Sequence, residues 1–250
     1  MDLREWSPNV LHRHPWETTR ARFFGRILVD AGLHHAPIRA VDVGGGDGWL
    51  AAQLLKVLHP ESTVVCWDTE YTAEHLQRLA SAASASQRFS RVQPSGTFDL
   101  VLCMDVLEHV DQDGDMLGSL VEHNVRPGGH LLFSVPAWPA LFSSHDASLG
   151  HFRRYSPTNA RRLVDGCRLA IMRSGGLFHS LLVPRLARRL VEALGHRSRF
   201  KHAGNWSDGA MLTRAVEGAL ALDSGASLLL ARLRLDLPGL SWWALCRKPA

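Results

Sequence analysis

The sequence predicts an α/β fold in which helices cover both faces of a mostly parallel β-sheet. Short apolar runs rich in β-branched residues alternate with longer segments of helical periodicity, and short turns separate them. Strands that alternate with helices form parallel sheets, because each parallel connection needs a crossover. With 250 residues, 46% hydrophobic and 21% charged, the chain has the size and composition of a single large globular domain.

The first half of the chain predicts five strands. Residues 16–33 precede them as a helix, because Phe23, Phe24, Ile27 and Leu28 recur at helical spacing before Gly32. Helices are predicted over WLAAQLLKVLH and DMLGSLVEHNV, the second of which RPGG closes. The predicted strands are IRAVDVG, STVVCWD, FSRVQP (the weakest), FDLVLCMDVL and HLLFSVPA.

The second half predicts two more strands and several helices. SPTNARRLVDG indicates a capped helix and RLAIMRSGGLF a strand. HSLLVPRLARRLVEALG indicates an amphipathic helix that bends or begins at Pro184, and residues 210–235 indicate one or two further helices before the strand GLSWWALCRK. The predicted organisation is a helical cap (1–36), a core (37–178), a helical insertion or lid (179–236) and the last core strand (237–250).

Four glycines occupy five positions directly after the first strand, at Gly44, Gly45, Gly46 and Gly48. A strand, a glycine turn and a helix together expose backbone N–H groups at a helix N-terminus, against which a ligand can lie. The spacing differs from the G-x-G-x-x-G of dinucleotide sites. With Asp42 it follows instead the pattern D-x-G-x-G-x-G.

This pattern resembles the nucleotide turn of class I S-adenosylmethionine-dependent methyltransferases. Asp68 follows 20 residues after Gly48, at the end of the second strand, where a carboxylate can accept both ribose hydroxyls. FDLVLCMDVLEHV is similar to the fourth strand of this class and its continuation. HPWETTR, which begins at His14, and VPAWPALFSSHDASLGHFRRYSP resemble segments of one bacterial branch of the class.

The resemblance implies a Rossmann-like, seven-stranded, mostly parallel sheet with a helical insertion between strands 6 and 7. It also implies S-adenosylmethionine as cofactor, with S-adenosylhomocysteine as product. The residues that it implies for the cofactor site are Asp42, Gly44, Gly45, Gly46, Gly48, Asp68, Thr69, Met104, Asp105 and Arg20. A Trp16 ring beside Pro15 could close over the cofactor.

Four residues are predicted to act in catalysis: His151, Tyr155, His109 and Arg154. A hydroxyl acceptor benefits from a base, and His151 is the first choice, ahead of His109 and His145, because an imidazole titrates near ~6.5. Alternatives stay open for each group. The arginines of HFRRY could instead form a solvated surface. Glu108 and His109 could be a structural pair. Arg153 and Arg154 could orient an anion on the acceptor or pair with Asp146. No metal site is predicted.

Composition narrows the partners and the compartment. Lys and Arg form no run of the kind that marks a nucleic-acid arm, so a nucleic-acid partner is not favoured. No apolar run reaches the roughly 18 residues of a membrane span, and the N-terminus lacks the apolar centre of a signal peptide. We therefore expect a cytoplasmic protein, monomer or homodimer, with a small-molecule acceptor and four reduced cysteines.

The expected function is methyl transfer to an O or N atom of a small metabolite. The basic residues from His196 to His202 favour an anionic acceptor. One alternative is methylation of a lipid-linked or polysaccharide precursor at a membrane surface, since the Leu-rich helices near 181–194 and 211–234 could lie on a bilayer. A non-catalytic S-adenosylmethionine-binding module and a nicotinamide oxidoreductase are alternatives of other classes, and the glycine spacing opposes the second.

Overall fold

The computed structural model describes residues 13–194, 209–233, 235 and 237–250. Its seven strands form a single sheet in the order β3-β2-β1-β4-β5-β7-β6. All neighbouring strands are parallel except β7, which is antiparallel to both β5 and β6. The strands are β1 (Arg39–Val43), β2 (Thr63–Trp67), β3 (Gln87–Ser90), β4 (Phe98–Met104), β5 (Val125–Pro136), β6 (Ala170–Leu177) and β7 (Ser241–Arg247). The predicted fold class is confirmed.

Helices cover both faces of this sheet. They are α1 (Pro15–Asp30), α2 (Trp49–Leu55), α3 (Ala73–Ala82), α4 (Asp113–His123), α5 (Ser144–Ser148), α6 (Pro157–Gly166), α7 (Leu182–Ala193) and α8 (Ala210–Arg232). One apolar cluster joins α1, α2 and α8 to the sheet through side chains such as Phe24, Leu54 and Leu220. A second cluster on the other face joins α4 and α6 through Leu120 and Val164. The sheet is therefore buried between two helical layers, as its apolar strands require.

Strand register gathers the carboxyl ends of β1, β2 and β4 at one edge. Val43 of β1 pairs with Trp67 of β2 on one side and with Cys103 of β4 on the other. The residues that follow these strands are therefore neighbours in space. This is the edge at which parallel α/β sheets bind ligands.

The structure differs from the sequence prediction at two strands. β3 begins two residues before the predicted FSRVQP segment. β5 includes Arg126 to Gly129, which the sequence indicated as the end of the preceding helix. Backbone pairing explains this second difference, because Gly128 donates to the carbonyl of Lys248 and Lys248 donates to that of Gly129.

The two helices of the insertion between β6 and β7 differ in their packing. α8 is one continuous helix that packs against α1 and β6, and its Leu220 and Ala231 belong to the core. α7 has Pro184 in its first turn, where a missing N–H costs no helical hydrogen bond. The basic residues from His196 to His202 lie outside the described residues. No helix among the described residues is long and apolar enough to cross a bilayer.

Candidate functional site

A cavity of about 510 Å³ opens at the carboxyl ends of β1, β2 and β4. α1 and the loop after β5 complete its wall. Many residues predicted for the site line this cavity: Arg20, Gly44, Asp68, Thr69, Met104, Asp105, His109, His151 and Arg154. Asp42, Gly45, Gly46, Gly48 and Tyr155 are not among the lining residues.

The turn after β1 needs glycine at two positions because a side chain there would collide with the neighbouring strands. A Cβ on Gly45 would lie 2.8 Å from Cβ of Cys66, and one on Gly48 would lie 2.6 Å from the amide nitrogen of Gln87. Gly44 alone of the four borders the cavity, with a φ of +64°. Two of the four glycines therefore let β2 and β3 approach the turn, and their predicted contact with a cofactor stays a prediction.

Asp68 is fixed at the cavity edge by backbone N–H groups. Its Oδ2 accepts from Gly46 N at 3.1 Å and its Oδ1 accepts from Glu70 N at 2.9 Å. The Tyr71 hydroxyl donates to the carbonyl of Gly46 at 2.6 Å and so holds the turn from below. Each carboxylate oxygen keeps a further lone pair for a ligand.

Asp42 lies beneath the turn rather than in the cavity. Its side chain is buried, and this burial raises its pKa to about 7. A carboxyl with such a pKa is largely protonated below neutrality and so avoids the cost of a buried charge. Its position fits a bracing role for the turn.

Helix α1 contributes charged groups to the opposite wall. His14 caps this helix, because its Nδ1 accepts from Trp16 N at 3.2 Å. Two turns on, the Arg20 guanidinium pairs with Asp105 Oδ2 at 2.7 Å and donates to Ser134 Oγ at 3.0 Å. Asp105 has a φ of +57° directly after β4, which turns its side chain toward α1. The HPWETTR segment therefore supplies both the N-cap of α1, His14, and a residue of the cavity wall, Arg20.

Glu108, His109 and His151 form a polar trio on the cavity wall. Their ligating atoms lie within 4.8 Å of one another, and the two imidazole rings meet edge to face at 4.5 Å. Burial, with Asp105 nearby, raises the pKa of Glu108 well above its ordinary range. The trio therefore presents hydrogen-bonding groups to the cavity.

Asp146 organises this wall from behind. It is fully buried, and its Oδ1 lies 3.3 Å from Nδ1 of His151 and 2.7 Å from Nη2 of Arg154. Arg185 of α7 reaches Oδ2 at 2.8 Å. Burial alone would raise the pKa of Asp146, but the adjacent His151 imidazole, the hydrogen bond from Arg154 and the charges of both arginines hold it far below its ordinary value. Asp146 is therefore a buried anion that binds two arginines and lies beside His151.

The HFRRY segment divides its side chains among three environments. The Tyr155 ring is buried in the core and its hydroxyl donates to Asp113 at 2.7 Å, so its predicted place at the reacting centre is corrected. Arg153 pairs with Asp111 and Asp113. Arg154 lines the cavity, but Asp146 and the carbonyl of Ala137 occupy its guanidinium. His151 lines the cavity and lies 3.3 Å from Asp146.

Two contributors were missed from the sequence. Arg185 sits in an amphipathic helix, where a charged residue is ordinarily assigned to solvent. Ser134 lies in β5 and accepts from Arg20 while donating to Asp105 at 2.9 Å. Only the tertiary arrangement joins these residues to the site, because their partners lie far away along the chain.

The chain is similar to known proteins over more than half of its length. Residues 13–172 match the family described as "Methyltransferase domain". A ubiquinone biosynthesis O-methyltransferase from Burkholderia orbicola is 29% identical over 138 residues, which cover 53% of this chain and 57% of that protein. A homologue of the same name from Xanthomonas axonopodis is 29% identical over 146 residues, or 55% of this chain and 59% of the relative. The matched region spans little more than half the length of either relative.

Solved structures share the fold at low identity. An S-adenosylmethionine-dependent methyltransferase from Mesorhizobium loti superposes with a TM-score of 0.54 at 15% identity, covering 89% of this chain and 96% of the other. The YcgJ protein from Bacillus subtilis gives 0.52 at 15% identity, covering 92% and 99%. These matches confirm the predicted fold, and the family match confirms the predicted cofactor, S-adenosylmethionine. Because the family match spans well over half of the sequence, the chain belongs to the methyltransferase domain family.

Proposed function

We propose that the protein is an S-adenosylmethionine-dependent methyltransferase that methylates a hydroxyl oxygen of a small acceptor, with His151 taking the proton. The observation that carries this proposal is the His151–Asp146 pair, which stands on the wall of the same cavity that Gly44 and Asp68 border. A ligand bound against the glycine turn and an acceptor beside His151 would share one enclosed space.

The cavity residues fit the cofactor. The volume of about 510 Å³ lies within the range of small-molecule sites. We assign Asp68 to the ribose hydroxyls, the Gly44 backbone to the amino-acid part, and Arg20 with Asp105 to its carboxylate and ammonium groups. Thr69 and Met104 would complete the contacts. When bound, S-adenosylmethionine supplies an electrophilic methyl carbon.

His151 supports oxygen over nitrogen as the methylated atom. A hydroxyl is a weak nucleophile until it loses its proton, whereas a neutral amine attacks with its lone pair and needs only orientation. With Nδ1 at 3.3 Å from Asp146 Oδ1, His151 would use Nε2 to accept the hydroxyl proton. The imidazolium that forms is stabilised by the Asp146 carboxylate. The relatives named O-methyltransferases support the same choice.

The cavity itself does not favour an anionic acceptor. Of the arginines that line it, Arg20 pairs with Asp105 and Arg154 pairs with Asp146. The preference for an anion that the sequence indicated rests on residues outside the described part of the chain. We therefore propose a hydroxylated acceptor and attach no charge requirement to it.

The direct test is release of S-adenosylhomocysteine in the presence of matched panels of phenols, alcohols and amines. Turnover with hydroxyl-bearing compounds, and not with their amine counterparts, is the expected result. Cofactor binding without turnover across every panel would favour the non-catalytic binding module. Turnover of amines alone would remove the need for His151 as a base.

Asp68→Asn is expected to weaken S-adenosylmethionine binding by about 10- to 100-fold, because hydrogen bonds to a charged group contribute about 1.5–3 kcal/mol. Isothermal titration with S-adenosylmethionine and S-adenosylhomocysteine measures this change. Glu74→Gln, which alters an exposed carboxylate in α3, is the matched control and should leave the affinity unchanged. Equal affinity in Asp68→Asn and wild type would remove Asp68 from the cofactor site.

Excess EDTA is expected to leave the methyl-transfer rate unchanged, because His151 and Asp146 provide for the proton without a cation. The Glu108, His109 and His151 trio makes this a sharp test, since its spacing would also suit a metal ion. The rate is measured before and after chelation and again after adding back Mg²⁺, Mn²⁺ or Zn²⁺. Loss of activity that one of these cations restores would reassign the trio to metal coordination.

A further inference from the structure

Helix α7 presents its apolar face to solvent. Its exposed positions Val183, Leu186, Leu190 and Val191, with Leu194 directly after the helix, recur at the spacing of one helical face. These side chains are between 45% and 77% exposed. A helix on the surface of a globular protein ordinarily turns this face toward the core.

The polar side chains of α7 face the protein instead. Arg185 donates to Asp146 and to Ser143 Oγ at 2.9 Å. Glu192 accepts from Arg188 at 3.2 Å and from Ser144 Oγ at 3.4 Å. Ionic contacts therefore hold the helix against the cavity wall, and this orientation keeps its apolar side chains outward.

Positive charge is concentrated in the same part of the sequence. Residues 179–236 contain nine Lys and Arg against five Asp and Glu, a net charge of +4. The rest of the chain contains 19 basic and 19 acidic residues and is neutral overall. The insertion between β6 and β7 thus carries the whole excess positive charge of the protein.

An exposed apolar helix face within a basic segment has the chemistry of a helix that lies on an anionic lipid surface. We propose that the apolar face of α7 docks on an anionic bilayer, in the plane of the headgroups. The contact through Arg185 and Asp146 would then place the cavity next to the lipid surface. This docking goes beyond the proposed methyl transfer and does not require it.

The test is co-sedimentation of the full chain with two kinds of vesicle, one of equal parts phosphatidylglycerol and phosphatidylcholine and one of phosphatidylcholine alone. We expect binding to the anionic vesicles that weakens as salt rises. Leu186→Asp combined with Leu190→Asp should bind at least about tenfold more weakly, because it removes apolar contact and adds negative charge. Val92→Asp, an exposed apolar position before β4, is the matched control and should bind like wild type.

Three results would overturn the proposal: no binding of wild type to anionic vesicles, equal binding of the α7 variant and wild type, or equal weakening by Val92→Asp. Light scattering tests whether a second copy of the chain occupies this face instead. A wild-type dimer that becomes a monomer in the α7 variant would assign the face to a second copy. Titration of each variant with S-adenosylmethionine confirms its folding. Vesicle binding needs no methyl transfer, so the failure of docking and the failure of the proposed activity are distinguishable.

Discussion

His151→Asn is expected to lower kcat for a hydroxyl acceptor by about 10²- to 10⁴-fold, the range that a positioned general base contributes. The affinity for S-adenosylmethionine should stay unchanged, because His151 belongs to the trio with Glu108 and His109 and not to the glycine turn. The rate of the variant should rise with pH as the acceptor ionises without help from the protein. A merely structural role for His151 would not produce that recovery.

His145→Asn is the matched control for this experiment. His145 also lines the cavity, but it lies outside the trio. Its substitution should change kcat by no more than a few-fold. Full activity in His151→Asn would remove His151 from the reaction and would leave His109 and His145 as the next bases to test. Equal losses in the two variants would show that the loss is not specific to His151.

The sheet was predictable because its strands are buried on both faces. β4 is apolar almost throughout, and a short apolar run of this kind is typical of a strand that is buried on both faces. The start of β5 was not predictable in the same way. Pro127, Gly128 and Gly129 have the composition of a turn, and only pairing with Lys248, more than a hundred residues away, keeps them in the sheet.

Some residues of the candidate site were likewise predictable from the sequence and others were not. Gly44, Asp68 and Asp105 directly follow strands, so the geometry of a parallel sheet is enough to bring them together. Tyr155 is close to His151 in the sequence, but its hydroxyl bonds to Asp113 of α4 and its ring enters the core. Proximity along an irregular segment does not determine direction, and the partner that turns Tyr155 inward is 42 positions away.

Arg185 shows what the sequence pattern of α7 could not predict, which is the orientation of the helix. The periodicity of α7 correctly identifies two faces, one apolar and one charged. It does not identify which face meets the protein, and the ordinary assumption gives the wrong orientation here. Asp146 decides the orientation, because a fully buried carboxylate needs cationic partners and Arg185 is one of them.

Asp146→Asn is expected to destabilise the protein by about 3–5 kcal/mol, the usual cost of removing one partner from a buried ionic group. The substitution removes the charge that balances Arg154 and Arg185, and it removes the carboxylate that lies beside His151. For a chain of this size the melting temperature should fall by about 6–20 °C. Thermal unfolding followed by circular dichroism measures the loss.

Asp111→Asn is the control for this variant, because Asp111 pairs with Arg153 at the exposed surface at 3.3 Å. It should change the free energy of unfolding by less than about 1 kcal/mol.

The difference between Asp146→Asn and wild type should also depend on pH in one direction. The pKa of Asp146 is lowered in the folded state, so its contribution to stability is complete above the ordinary carboxyl pKa of about 3.9 and is lost as pH falls below that value. The two proteins should therefore differ most near neutral pH and converge in acid. A difference that stays constant from pH 7 to pH 3 would mean that the charge of Asp146 does not hold α7 and His151 in place.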